Sequence, residues 1–378
     1  MKVWFLYTLW GALSILAQAD DNVIPDQYIV LLDDHFDKIV TRIRLFLSNE
    51  KRPKLLREYR QGIVVSGLTG EVAERWARDP AVLSIVPDMK FFAASTTQSN
   101  PPSWGLDRID QASRRLDSNY TYEWTGLGVQ VYILDSGIQA SHVDFADRVI
   151  CGLSTIPDGD SCVDGFGHGT HVAGIVGGTQ YGVAKEVDLV SVQVLNENGE
   201  GSLSGMLLAL DYVMDQKAAS PDTPMVINFS LSGSHHPLLD EAIEQVVQAN
   251  ITVVAAAGNH NQPACDYSPG SAASAITVGA TNTYDYLLSF SNYGACVDLL
   301  APGVDIVSAD SRSNTGQRTE TGTSQAAPHV AGVAALYLQT HPMWTPATVR
   351  EAILEKAVDR LQGTRIENST TLILQTLL

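Results

Sequence analysis

The apolar positions between residues 125 and 305 fall into short unbroken runs, separated by longer stretches with helical periodicity. Unbroken apolar runs are typical of strands that are covered on both faces, as in a parallel sheet between helices. The sequence therefore predicts an α/β domain with a mostly parallel central sheet. The predicted strands lie at 129–134, 187–195, 225–231, 251–257, 276–280 and 296–302, and the predicted helices at 170–177, 202–217 and 237–249.

A small α+β module is predicted over residues 20–92, before this domain. A polar, proline-containing linker, ASTTQSNPPS, follows the module, and the α/β domain is expected over residues 93–378. Within the module, strand patterns lie at 27–32, 62–68 and 81–87, and helical patterns at 35–47 and 71–78.

The first 19 residues have the pattern of a cleaved secretory signal: a basic Lys2, a short apolar run and an A-x-A site that ends at Ala19. The apolar run is too short to cross a bilayer, and no later stretch approaches the roughly 20 apolar residues that a spanning helix needs. The protein is therefore expected to be secreted and extracellular, with no membrane partner.

Composition narrows the function further. A content of 45% hydrophobic and 17% charged residues indicates a folded protein, and a net charge of −18 argues against a nucleic-acid partner. The acidic excess is uneven, since residues 20–92 hold 11 basic and 12 acidic side chains whereas residues 93–378 hold 12 and 30. Seven of the basic residues lie between Arg42 and Arg60. This pattern predicts an intramolecular complex, with a merely solvated helix face as the alternative.

Four cysteines in a secreted chain predict two disulfides, for which three connectivities exist. Closeness in the chain favours Cys151 with Cys162 and Cys265 with Cys296. Free buried thiols are the alternative.

Three side chains that could carry out chemistry lie at the ends of predicted elements. Asp135 ends the run VQVYILD, His168 lies in GFGHGTHVAGIVGG, and Ser324 precedes the apolar run of TETGTSQAAPHVAGVAALYLQ, which predicts a tight turn opening a buried helix. Ligands of open α/β sheets gather outside the carboxyl ends of the strands. Nucleophilic acyl transfer needs a hydroxyl, a base to take its proton and a carboxylate to orient the base. Alone, each of these residues would more often be a cap or a turn residue.

Asn259 is the fourth candidate, because its amide could donate to a developing oxyanion alongside the backbone N–H of Ser324. The preceding Gly258 lets the chain turn sharply there. A histidine base predicts that activity falls below about pH 6–7.

The segments D-S-G, H-G-T-H-V-A-G and G-T-S-x-A-A-P-H, in the order Asp, His, Ser, resemble the subtilisin-like serine proteases. PPSWGLDRID, YGVAKEVDLVSVQVLNENGEGS and SFSNYGACVDLLAPG extend the resemblance to the proteinase K-like branch over nearly the whole body. It implies a subtilisin-like three-layer α/β domain and a serine endopeptidase that works through an acyl-enzyme. The implied roles are orientation for Asp135, base and then acid for His168, nucleophile for Ser324 and oxyanion donor for Asn259. His171 and His329 resemble structural residues, and Gln325 stands where the family commonly has Met.

The same resemblance implies that a peptide substrate lies as an added strand between two extended edges. The edges are Gly199-Glu200-Gly201 and Ser230-Leu231-Ser232. Ser232 stands where the family usually has Gly and is expected to narrow the pocket for the residue before the cut. The apolar wall that includes Ala256 and Gly258 favours an aromatic or aliphatic side chain there.

The resemblance also implies that residues 20–92 are an inhibitor-like propeptide of a self-processing zymogen, which is cut after Phe92. A monomer without a catalytic cofactor is expected. A structural calcium ion is implied at Asp298, with backbone oxygens near Ala273 and Ala275. The bridge between Cys265 and Cys296 has counterparts in the branch, whereas the pair Cys151 and Cys162 is inferred by elimination.

Two alternatives to a protease remain on the same fold: an inert pseudoprotease that acts as a binding protein, and a peptide ligase. The complete set of four catalytic candidates favours an enzyme over the pseudoprotease. Of the sequons at Asn119, Asn228, Asn250 and Asn368, Asn228 lies in a core-like strand and Asn119 is the best glycosylation candidate.

Overall fold

The computed structural model describes residues 23–32, 54–59, 62–68, 70–80, 82–89, 95–363 and 368–376. The chain forms two compact units, residues 1–94 and 95–378.

The smaller unit contains a four-stranded antiparallel sheet in the order β2-β3-β1-β4 and one described helix, α1. Its core joins alternate residues of the strands to Val72 and Trp76 of the helix. Three strands and this helix match the sequence prediction, β2 was not predicted, and the predicted helix at 35–47 lies outside the described residues. The bounds are β1 Val23–Leu32, β2 Lys54–Tyr59, β3 Gly62–Ser66, β4 Val82–Met89 and α1 Gly70–Ala77.

The larger unit contains a nine-stranded sheet in the order β18-β19-β15-β14-β12-β10-β7-β9-β8. All neighbours pair in parallel except β18, which pairs antiparallel with β19 at one edge. The bounds are β7 Gln130–Asp135, β8 Val149–Ser154, β9 Asp188–Gln193, β10 Met225–Phe229, β12 Thr252–Ala256, β14 Ile276–Thr281, β15 Leu299–Pro302, β18 Val358–Asp359 and β19 Leu372–Ile373.

Helices cover both faces of this sheet. Alternate strand residues such as Val131 and Ile133 belong to a core with α3 and α6, whereas Tyr132 and Leu134 belong to a second core with α4 and α5. Because strand side chains alternate between faces, these two cores define the three layers that the sequence predicted. The helices are α2 Trp104–Ile109, α3 His168–Gly177, α4 Leu203–Ala219, α5 Pro237–Gln248, α6 Thr323–Thr340 and α7 Pro346–Lys356.

Short two-stranded pairings complete the larger unit, and the sequence did not predict them. The hairpin formed by the buried strand β16 and the polar strand β17 is the most important, because it lies in the chain just before α6. The bounds are β5 Thr96–Ser99, β6 Asn119–Tyr122, β11 Gly233–Ser234, β13 Tyr267–Ser268, β16 Ile306–Ala309 and β17 Gln317–Glu320.

Both disulfides have the predicted pairing, Cys151 with Cys162 and Cys265 with Cys296, and each joins Cα atoms 5.3 Å apart. Asn228 is fully buried in β10, so its sequon is inaccessible, whereas Asn119 is half-buried at the start of β6. No helix among the described residues is long and apolar enough to span a bilayer.

Candidate active site

Asp135 is the last residue of β7, at the sheet edge where the carboxyl ends of the parallel strands lie. The side chain is fully buried, and its Oδ1 accepts a 2.7 Å hydrogen bond from the N–H of Ser136. His168 is the first residue of α3, and its Nδ1 lies 2.9 Å from each oxygen of Asp135. An ionised carboxylate only accepts, so the pair places the proton on Nδ1 and leaves Nε2 as the basic nitrogen.

A second buried carboxylate, Asp164, holds the turn that leads into α3. It accepts hydrogen bonds from Ser136 Oγ at 2.8 Å, from the N–H of Gly167 at 2.6 Å and from the N–H of Thr170 at 2.8 Å. Gly167 has a φ of 96°, a conformation that side chains disfavour. Sequence analysis missed Asp164, although an Asp at the head of the segment DGFGH is a helix-start signal.

Charged neighbours set the basicity of His168. Burial alone would lower the pKa of His168, but the charge and hydrogen bond of Asp135, with the charges of Glu320 and Asp164, raise it to about 9. An imidazole with this pKa is protonated at neutral pH and acts as a base in alkaline solution. The raised pKa predicts that the activity loss, expected below about pH 6–7 from an ordinary histidine, occurs at higher pH.

Ser324 is the second residue of α6, where the first N–H groups of the helix lack intrahelical acceptors. Its backbone oxygen accepts a 2.8 Å hydrogen bond from Ser230 Oγ. The preceding Thr323 donates from its N–H at 2.9 Å and from Oγ1 at 3.0 Å to Oδ1 of Asn259. These bonds fix the amide carbonyl of Asn259, so its Nδ2 donor is the group left for a ligand beside Ser324.

Glu320, the last residue of β17, is a charged neighbour of this site that sequence analysis missed. It forms an ion pair with Arg318 and accepts a 2.7 Å hydrogen bond from Nε2 of Gln325. Its side chain is 13% exposed, and burial raises its pKa. Gln325, which directly follows the candidate nucleophile and stands where the family commonly has Met, is thereby hydrogen-bonded to Glu320.

His171 and His329 are buried and have backbone partners, as expected of structural residues. Nε2 of His171 lies 3.1 Å from the carbonyl oxygen of Ile306, and Nδ1 of His329 lies 2.8 Å from that of Gln325. Burial lowers the pKa of His171 to about 3 and that of His329 to about 4. Both rings are therefore neutral where the candidate base titrates.

A cleft of about 420 Å³ opens beside His168. It is lined by residues of both predicted edges, Gly199, Gly201, Ser230, Leu231 and Ser232. Five apolar side chains that sequence analysis missed also line it: Phe166, Leu195, Leu203, Met206 and Leu239. Glu200, Ala256 and Gly258 are not among the lining residues, and Ala256 is buried within β12.

Gly258 and Ser232 meet next to this cleft. Gly258 has a φ of 97°, and a Cβ there would lie 2.5 Å from Nδ2 of Asn292 and 3.4 Å from Oγ of Ser232. The Ser232 hydroxyl therefore lies within van der Waals distance of that position, and the narrowing of the pocket by Ser232 stays a prediction.

The carboxylate of Asp298 does not fit the predicted calcium site. One oxygen accepts a 2.8 Å hydrogen bond from the N–H of Thr277, and the other pairs with the guanidinium of Arg350. Ala273 is exposed and Ala275 is buried, and an arginine cation already neutralises the only acidic ligand of this set. A calcium ion would have to displace Arg350, which opposes cation binding here.

The chain is similar to known extracellular proteases. The profile described as Subtilase family matches residues 126–370. An extracellular serine proteinase of Thermus sp. (strain Rt41A) is 45% identical over 88% of this chain and 79% of its own length. An alkaline serine exoprotease A of Vibrio alginolyticus is 43% identical over 91% of this chain and 66% of its own length.

A solved structure of a cold adapted subtilisin-like serine proteinase superposes with a TM-score of 0.69 at 42% identity, over 74% of this chain and 100% of that chain. Family profile, relatives and fold thus agree with the arrangement of Asp135, His168 and the start of α6. The chain belongs to the subtilase family and is a subtilisin-like serine peptidase.

Proposed function

We propose that this protein is a secreted endopeptidase that cleaves polypeptides with Asp135, His168, Ser324 and Asn259. The observation that carries the proposal is the 2.9 Å contact between Asp135 and Nδ1 of His168, at the sheet edge that carries the substrate cleft. A buried carboxylate on Nδ1 makes the opposite nitrogen a base, which is what activation of a serine hydroxyl requires.

In the first half-reaction, Nε2 of His168 takes the proton of Ser324 Oγ while Oγ attacks the scissile carbonyl carbon. The oxygen of the tetrahedral intermediate accepts hydrogen bonds from Nδ2 of Asn259 and the N–H of Ser324. The imidazolium then gives its proton to the leaving amine, and the C–N bond breaks to form an acyl-enzyme. Water attacks this ester by the same route and releases the acid.

Apolar side chains before the cut are the proposed preference. Leu195, Met206 and Leu239 line the cleft, and burying an aliphatic or aromatic substrate group against them is favourable by roughly 1.5–3 kcal/mol. A peptide library should therefore yield cuts after Phe, Tyr, Leu or Met, and a dominant preference for Lys or Arg would contradict this assignment.

Residues 1–19 are proposed to direct secretion, and residues 20–92 to inhibit the enzyme until it cuts itself after Phe92. The purified Ser324→Ala protein should stay full-length, whereas the unaltered protein should be cut between Phe92 and Ala93. Cleavage of the isolated variant at that bond would show that another protease does the processing.

Casein hydrolysis, with labelling by a fluorophosphonate, tests the chemistry against both alternatives. We expect labelling at Ser324, proteolysis, and loss of both in Ser324→Ala, with turnover falling by about 10⁶. Labelling without proteolysis would support a peptide ligase, and the absence of both would support an inert binding protein.

A further inference from the structure

A second cavity, of about 590 Å³, lies in the larger unit and shares no lining residue with the substrate cleft. Three arginines line it, Arg114, Arg115 and Arg360, which we call the arginine pocket. Residues 93–378 hold 12 basic residues against 30 acidic ones, so a quarter of the cations of an acidic body line one cavity. Its volume lies within the range of about 300–1,000 Å³ that is typical of ligand pockets.

The one carboxylate in the pocket lining does not neutralise these arginines. Asp285 is 1% exposed and accepts two hydrogen bonds from the fully buried Arg108, from Nε at 2.9 Å and from Nη2 at 3.1 Å. Arg108 also donates to the carbonyl oxygen of Gln111 at 3.1 Å. The bidentate pair is thus complete within the fold.

The three pocket arginines differ from the other arginines of residues 95–363. Arg312 and Arg350 pair with Asp310 and Asp298, Arg318 pairs with Glu320, and Arg148 donates to carbonyl oxygens. Within the described residues, the exposed guanidinium groups of Arg114, Arg115 and Arg360 form no ion pair and no side-chain hydrogen bond. Their donors are therefore available to a ligand.

The backbone around the pocket is fixed by hydrogen bonds. Oδ1 of Asn282 accepts from the N–H of Tyr284 at 2.9 Å and from that of Tyr286 at 3.1 Å, and the N–H of Gln362 donates to the oxygen of Asp285 at 2.9 Å. The pocket is therefore formed before a ligand arrives, which lowers the entropic cost of binding.

We propose that the arginine pocket binds an acidic segment of a polypeptide, as a docking site outside the substrate cleft. Guanidinium groups match carboxylates in bidentate geometry, and three of them in one cavity suit a ligand with several carboxylates. Residues 93–378 hold 18 more acidic than basic side chains, which disfavours acidic chains over most of this unit, whereas the three arginines attract them. The identification of the ligand as a polypeptide rests on the proposed peptidase function.

The test uses full-length Ser324→Ala protein, in which binding needs no catalysis. Titration with a fluorescent hexaglutamate peptide at low salt should give saturable, one-to-one binding by anisotropy. Arg114→Gln and Arg360→Gln, each added to this protein, should weaken binding about tenfold, since each removes charge-assisted hydrogen bonds. Arg312→Gln is the control, because Arg312 is also exposed to solvent but lies outside the pocket, and it should leave affinity within about twofold.

Absence of saturable binding, or equal weakening by all three substitutions, would overturn the assignment. Displacement of the peptide by an equal concentration of inorganic phosphate would also overturn it, in favour of a small-anion site.

In the active enzyme, a substrate with a glutamate tail should show a lower KM at unchanged kcat, and Arg114→Gln should remove this advantage. If the unaltered protein does not hydrolyse the substrate, the peptidase proposal is refuted, but the result of the binding titration still holds.

Discussion

At the scale of single residues, the charges around His168 decide the pH at which the enzyme works. Glu320 contributes to the raised pKa of His168 through its charge, and its own carboxylate is held by Arg318 and Gln325. Glu320→Gln should therefore lower the pKa of His168, since the imidazolium loses a stabilising anion. The acidic limb of kcat/KM, measured from pH 5 to 11, should move to lower pH.

Glu241→Gln controls for the loss of one negative charge, because Glu241 is exposed on α5, outside the cleft lining. It should leave the limb in place. An unchanged limb in Glu320→Gln, or a limb displaced to higher pH, would remove Glu320 from the set of residues that tune the base.

The amide of Asn259 is the second prediction at this scale. Thr323 holds the carbonyl oxygen of Asn259, and Asn259→Ala removes the Nδ2 donor that we propose for the developing oxyanion. We expect kcat to fall by about 10²–10³ with little change in KM, the range known for such a donor in subtilisin. A rise in KM at constant kcat would instead assign Asn259 to substrate binding.

At the scale of elements, sequence patterns predicted what apolar periodicity encodes. Strands β7, β10, β12 and β14 and helices α3 to α6 lie within a few residues of their predicted positions, because each buries a continuous apolar run or stripe. The polar strand β17 has no such pattern and is fixed by its pairing with β16 within the folded unit. The contribution of Glu320 to the raised pKa of His168 was missed with it, because Glu320 is the last residue of β17.

The disulfide on strand β8 gives a prediction at the element scale. This edge strand pairs with β9 alone, and the bridge from Cys151 to Cys162 closes a short loop with a sequence separation of 11. The double change Cys151→Ser and Cys162→Ser should lower the free energy of unfolding by about 2–4 kcal/mol, measured by urea unfolding of the Ser324→Ala protein. Unchanged stability would mean that the pairing of β8 with β9 is sufficient without the bridge.

At the scale of the whole molecule, the two compact units carry different charge. Residues 20–92 are nearly neutral with a basic segment at 42–60, whereas residues 93–378 hold 18 more acidic than basic side chains. Attraction of this kind steers association and weakens as salt screens it. The described part of the basic segment includes the exposed side chains of Lys54 and Arg57 on β2.

If residues 20–92 act as the proposed inhibitory propeptide, we expect them to dissociate faster after cleavage as the salt concentration increases. In freshly processed enzyme, activity towards a small uncharged peptide should recover faster at 0.5 M than at 0.05 M NaCl, since the screening length falls from about 14 to about 4 Å. The double change Lys54→Glu and Arg57→Glu should raise the rate of recovery at low salt nearly to the rate at high salt. Lys356→Glu, on α7 of the larger unit, is the control, and its activity should recover no more slowly than that of the unaltered protein. If recovery is independent of salt and of these charges, the basic segment is a solvated surface and charge attraction does not hold the proposed propeptide.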